Sequence, residues 1–148
     1  MTAPTHPVDV LLILTHYDRV LLALRAGTGY ADGEFNLPSG KLETGEDAVS
    51  ALIRETREEI GVHLTPDEPR MTATVHHRNT AGLARVGLAF AVEYDPDRHG
   101  LPVNAEPHKC AMIEWFPVDQ LPANTYPYTS ACVSAYRDRQ PLRLSGWR

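Results

Sequence analysis

Three glutamates and two arginines crowd the stretch "RETREEIG", Arg54 to Gly61, and two of the acids stand just before the isoleucine and glycine that end it. A helix ending there would carry partial negative charge at its C-terminus, so Glu58 and Glu59 would cost a few tenths to about 1 kcal/mol. Glu55 lies three and four residues ahead of them, adding like-charge repulsion of roughly 0.2–0.5 kcal/mol per pair. Helix stability alone does not select this arrangement. At about 100° per residue the three carboxylates share a sector roughly 100° wide. Clustered carboxylates of this kind hold hard cations such as Mg²⁺, above all where the cation also meets substrate phosphates. Arg54, four residues before Glu58, is placed to orient the cluster through charge-assisted hydrogen bonds. The competing reading is a solvated acidic helix face, since Glu is a good helix former.

The elements around this stretch must position it. "VDVLLILTH" and "RVLLALRA" are short apolar runs that read as two strands joined by a tight turn around Tyr17-Asp18-Arg19. "GTGYADGEF" holds three glycines and reads as a loop. A capping-box-like start at Thr44 to Asp47 introduces a helix over Ala48 to Ile60, whose core stripe is expected at Val49, Ile53, Thr56 and Ile60, with Gly61 as its stop. "MTATVHHR", "ARVGLAFAVEY" and "AMIEWFPV" read as further strands, and "TSACVSAYRDR" as a C-terminal helix. "DPDRHGLPVNAEPHK" reads as a loop about fifteen residues long, a length that is usually functional. The sum is a mixed α/β domain.

The chain of 148 residues suits one domain, 1–148, and no apolar run is long enough to span a bilayer. No signal peptide is read at "MTAPTHPVDV". Two cysteines, Cys110 and Cys132, without a CxxC pair, fit a reduced cytoplasmic setting. The net charge of −5 argues against a nucleic-acid binder, which needs basic patches. It leaves room for a small phosphorylated substrate, because a metal ion supplies positive charge locally.

From Gly40 to Val62 the chain reads "GKLETGEDAVSALIRETREEIGV". This resembles the Nudix box of the Nudix (MutT-like) hydrolases at every fixed charged and glycine position; only Thr56 departs, where the family prefers a larger aliphatic residue. "NLPSG" before the box and "EWFPVDQLP" near the end extend the resemblance over nearly the whole chain. The resemblance implies an α/β/α sandwich with a central mixed sheet, and Mg²⁺- or Mn²⁺-dependent hydrolysis of a nucleoside diphosphate linked to another moiety. It implies Glu58 and Glu59 as metal ligands, Glu55 as a metal ligand or general base, and Ser39 or Gly40 as a source of a further ligand. Arg54 becomes the residue that orients the glutamates, and Glu46 a supporting one.

Nudix enzymes often add an acid from a later loop, and Glu106 in "NAEPHK" is the candidate, with Glu93 and Glu114 as competitors. Arg25, Tyr30 and Phe35 precede the box, where a guanidinium and aromatic rings could hold a base or a phosphate, the two rings being equally readable as core or rim. His76 and His77 point in opposite directions on a strand, and packing or exposure is the simpler reading for both. Markers of other subfamilies are missing: His77 stands where many ADP-ribose pyrophosphatases carry proline, and Asn79-Thr80 where diadenosine polyphosphate hydrolases carry tyrosine. The chain is most similar to the MutT group, which implies a nucleoside triphosphate or related nucleotide as small-molecule substrate, acted on by a monomer or homodimer. Two rival readings are a non-catalytic nucleotide-binding sensor, which commonly loses box glutamates that are all present here, and a diphosphate isomerase, which needs a cysteine before the box.

Overall fold

The run Val8–His16 is apolar at most positions, and in the computed structural model it forms a strand, β1, buried on both faces along most of its length. Residues 2–147 are described; Met1 and Arg148, the two ends of the expected 1–148 domain, lie outside the described residues. The strands that follow are β2 (Arg19–Arg25), β3 (Phe35–Asn36), β4 (Ser39–Lys41), β5 (Arg70–Arg78), β6 (Ala84–Glu93), β7 (Cys110–Pro117) and β8 (Leu142–Ser145). The helices are α1 (Ala48–Ile60), α2 (Pro96–His99) and α3 (Pro127–Asp138).

The sheet is mixed. Its main path runs β3-β2-β1-β6-β5-β8, with β4 pairing β1 and β7 pairing β2. The β1–β6 and β5–β8 pairs are parallel and the others antiparallel. Successive strand side chains point to opposite faces, so β1 feeds two cores. Val10, Leu12 and Leu14 pack with Ala51, Leu52 and Ile60 of α1, while Leu11 and Ile13 pack with Ala131, Cys132 and Val133 of α3. Helices on both faces make the expected α/β/α sandwich.

Local chemistry explains the limits of α1. The Asp47 side chain accepts from the Ser50 backbone N–H at 2.9 Å, and Gly61 takes the left-handed conformation at φ 68°, its N–H bonded to the Arg57 carbonyl at 3.0 Å. The buried stripe is Ala51, Leu52, Thr56 and Ile60. It is rotated from the expected one: Val49 and Ile53 are only partly buried, because Ala51 and Leu52 face the centre of the sheet.

Two local expectations need correction. The 95–109 segment is not all loop, since Pro96–His99 forms a helical turn capped by Asp95. The strand β8 was not foreseen. Its four residues pair in parallel with β5, a contact between segments far apart in sequence.

Candidate active site

The C-terminal half of α1, strand β4 and the segment after α2 meet at a cavity of about 520 Å³. Backbone pairing holds the segment there: Val103 N–H donates to the Ile60 carbonyl at 2.9 Å and Ala105 N–H to the Glu59 carbonyl at 3.1 Å. These bonds satisfy carbonyls that a helix end leaves without intrahelical partners. They also deliver the next residue, Glu106, to the cavity wall beside Glu55, Glu58 and Glu59. The Asn104 side chain reinforces the turn, accepting from Glu106 N–H at 3.2 Å and donating to the Cys110 carbonyl at 2.8 Å. Of the three downstream acids, Glu106 lines the cavity; Glu93 lines a separate surface pocket beside Tyr17, and Glu114 sits on β7 opposite Leu22.

Arg54 ties the acids together. Its Nε and Nη2 donate to the Glu46 carboxylate at 2.7 and 3.0 Å, a bidentate pair, while Nη1 donates to Glu55 at 2.9 Å and to Glu58 at 3.3 Å. The guanidinium holds the Glu46 carboxyl below its ordinary pKa. Glu55 lies directly over Gly40, so that a Cβ on Gly40 would overlap the Glu55 Cγ, Cδ and Oε1 atoms. Glycine here makes room for a carboxylate; its φ is not in the left-handed region.

Glu59 is half-buried and held from the β4 side of the cavity. Its Oε2 accepts from the Ser39 backbone N–H at 2.9 Å. Burial pushes its pKa up to about 8, with Glu55 and Glu106 adding to the rise and the Ser39 N–H opposing it. Glu55 is also raised, by burial first, against the pull of Arg54. Four carboxylates thus face one cavity, two of them held as reluctant anions. Among the described residues no three His, Cys, Asp or Glu side chains already stand together as a finished cage for a cation. The donor chemistry nonetheless fits a hard cation, because the clustered acids Glu55, Glu58, Glu59 and Glu106 offer carboxylate oxygens to one cavity.

The other expected residues divide. Ser39, Gly40, Arg25 and Tyr30 line the cavity. Arg25 Nε donates to the Tyr30 carbonyl at 2.9 Å, and its guanidinium lies 5.5 Å from the centre of the Tyr30 ring. Phe35 is placed otherwise: it is 7% exposed, packs edge-on against Phe116 with ring centres 4.9 Å apart, and does not line the cavity. Its side chain points from β3 into the α3-side core. Of the two histidines, His77 stacks on Tyr128 and His76 packs near Trp147, and neither lines the cavity.

Sequence reasoning missed Asp9, Lys41, Arg85, Lys109, Tyr126 and Tyr128, all on the cavity wall. For two of them a signal existed: Asp9 and Arg85 are charged residues set inside otherwise apolar strands.

A family model for the NUDIX domain matches residues 5–135. The chain belongs to that family. It is 30% identical over 115 residues to an NAD-capped RNA hydrolase, NudC, of Stutzerimonas stutzeri, covering 78% of this chain but 38% of that protein. The chain therefore spans well under half the length of that relative. It is also 28% identical to the CTP pyrophosphohydrolase of Escherichia coli, over 92% of this chain and 93% of that one. A solved MutT NUDIX hydrolase from Burkholderia pseudomallei superimposes with a TM-score of 0.79 at 24% identity, covering 89% of this chain and 98% of that chain, a likeness of fold. No helix among the described residues is long and apolar enough to cross a membrane.

Proposed function

We propose that this chain is a divalent-metal-dependent pyrophosphohydrolase acting on a nucleoside triphosphate or a related nucleotide. The observation that carries the reading is the convergence of Glu55, Glu58, Glu59 and Glu106 on one cavity also lined by the cations Arg25, Lys41 and Lys109. Acids that repel one another gain from sharing a cation, and the basic side chains suit the phosphates. The near full-length likeness to a CTP pyrophosphohydrolase supports the same substrate class.

In this reading Glu55, Glu58 and Glu59 hold Mg²⁺ or Mn²⁺, with Ser39 or Gly40 supplying a backbone oxygen. A metal held by those carboxylates would supply a water of lowered pKa and would offset charge on the phosphates. Glu55 or Glu106 takes the proton from the attacking water, a role open to a carboxylate within hydrogen-bond reach of it. Arg54 keeps the Glu55 and Glu58 carboxylates turned to their work, and Glu46 keeps Arg54 in place. Arg25 and Lys109 steady the phosphate chain, and Tyr30 offers a ring face to the base. The unit is one domain over 1–148, and two free cysteines accord with work in the cytoplasm.

The test is release of pyrophosphate or phosphate from a panel of nucleotides with Mg²⁺, with Mn²⁺ and with chelator. Metal-dependent turnover of a triphosphate is expected. Absence of turnover throughout, with nucleotide still bound, would leave a sensor in its place.

A further inference from the structure

A second polar group stands in the same cavity, on the wall made by β1, β6 and α3 rather than on that made by α1. Asp9, buried on β1, accepts from Arg85 Nε at 2.8 Å and from Arg85 Nη2 at 2.8 Å, and from the Tyr128 hydroxyl at 2.9 Å. Asp9 and Arg85 are neighbours across the parallel β1–β6 pair, two residues apart in register. The carboxylate therefore occupies the side edge of the guanidinium. A guanidinium has five N–H donors in a fixed plane. With Nε and one Nη2 hydrogen used, the end-on fork, one hydrogen from Nη1 and one from Nη2, is left for another partner.

The Arg85 side chain is 25% exposed and lines the cavity. Its side-chain hydrogen bonds and its ion pair are all with Asp9, and among the described residues no glutamate of α1 pairs with it. Because Asp9 neutralises its charge, Arg85 is poorly suited to hold phosphate, for which Arg25, Lys41 and Lys109 stand in the same cavity. A fork of donors with no net charge is suited instead to a neutral group carrying two adjacent acceptors. The Tyr30 and Tyr126 rings, edge to face at 5.7 Å with their hydroxyls 2.6 Å apart, border the space with aromatic surface.

Taking the nucleotide hydrolase reading as the base, we propose that Arg85, clamped by Asp9, reads the substrate's base and selects one with two adjacent acceptors. Cytosine offers O2 and N3, and guanine offers O6 and N7. Adenine sets an amino donor beside N7, and uracil sets N3–H between its carbonyls. Both would turn a donor toward a donor. Tyr128 and Asp9 are positioning residues here, because they act through the guanidinium.

The experiment measures binding of CMP, GMP, AMP and UMP by titration calorimetry, and kcat/KM for the four triphosphates, in wild type, Arg85→Lys and the double variant Asp9→Asn/Arg85→Gln. Lysine keeps the pairing charge without the fork, and the double variant leaves no unpaired buried charge. Thermal melts establish that each is folded. Wild type should favour CMP or GMP by about 10-fold or more over AMP and UMP, the value of a good bidentate contact. The CMP and GMP arms tell the two bases apart. In both variants that preference should fall to within about threefold. A structural ion pair would cost stability and leave the preference untouched. Retained preference in both variants, equal binding of AMP or UMP in wild type, or no binding of any monophosphate would overturn the proposal. Selective binding without turnover of any triphosphate would sustain it while removing the hydrolase reading beneath it.

Discussion

Gly40→Ala should separate the geometry of the carboxylate cluster from the stability of the fold. Gly40 pairs with Val10 in the sheet, and its φ lies outside the left-handed region, so alanine adds no backbone strain. The added methyl would fall on the Glu55 side chain, from Cγ outward. That side chain can rotate, giving up its 2.9 Å hydrogen bond from Arg54. One charge-assisted hydrogen bond in a partly exposed setting is worth about 1–1.5 kcal/mol, and the stiffer unfolded chain returns about 0.5 kcal/mol. The net cost is therefore about 0.5–1 kcal/mol, or roughly 1–4 °C in Tm at this chain length. Displacing a catalytic carboxylate by one rotamer costs far more, on the order of 10²-fold in turnover. The assay is metal-dependent nucleotide hydrolysis beside a thermal melt, for Gly40→Ala, Glu55→Gln and the double variant. If both changes act through the Glu55 carboxylate, the double variant should be little worse than the poorer single one. Turnover within about threefold of wild type for Gly40→Ala would refute this account, and so would losses that simply multiply.

Glu106→Gln should lower kcat by about 10²-fold with little effect on binding of a nonhydrolysable nucleotide, whereas Glu93→Gln and Glu114→Gln should leave steady-state kinetics near wild type; the reverse pattern would move the role to a competitor. Glu59 has a folded pKa of about 8 against an ordinary 4.5, so the metal-free native state retains a proton that the unfolded chain has released between those values. The Glu59 contribution to the stability of the metal-free protein should be fully present below about pH 4.5 and be lost as pH rises through about 8, with a slope of up to about 1.4 kcal/mol per pH unit. Subtracting a Glu59→Gln series of denaturant titrations isolates this term, and an unchanged slope in the variant would remove it. The Thr56 hydroxyl is buried without a hydrogen-bond partner, so Thr56→Val, of similar shape, should raise stability by about 1 kcal/mol and leave kcat unaltered; a lower Tm would mean that the hydroxyl has a partner.

The segment from Asp47 to Gly61 was legible in the sequence because its causes are local. A capping carboxylate, a helical repeat and a glycine stop act within a few residues of one another, and the acids on that helix keep their angular relation in any fold. The apolar run of β1 likewise announced a strand, and its burial on both faces came with α1 and α3 packed on either side. What the sequence left open was decided by contacts between distant segments. Glu106 was one of three downstream acids until Val103 and Ala105 paired with the last carbonyls of α1. Phe35 could be read as a ring for stacking or as core, and the register of β3 against β2 turned it inward against Phe116. Strand β8 has little pattern of its own and exists through its pairing with β5. Asp9, Arg85 and Tyr128 lie 76 and 119 residues apart along the chain, and only the parallel pairing of β1 with β6 beneath α3 brings them to one wall. Local periodicity fixes what a helix presents, but the partner it faces depends on long-range pairing, which no single stretch of sequence encodes.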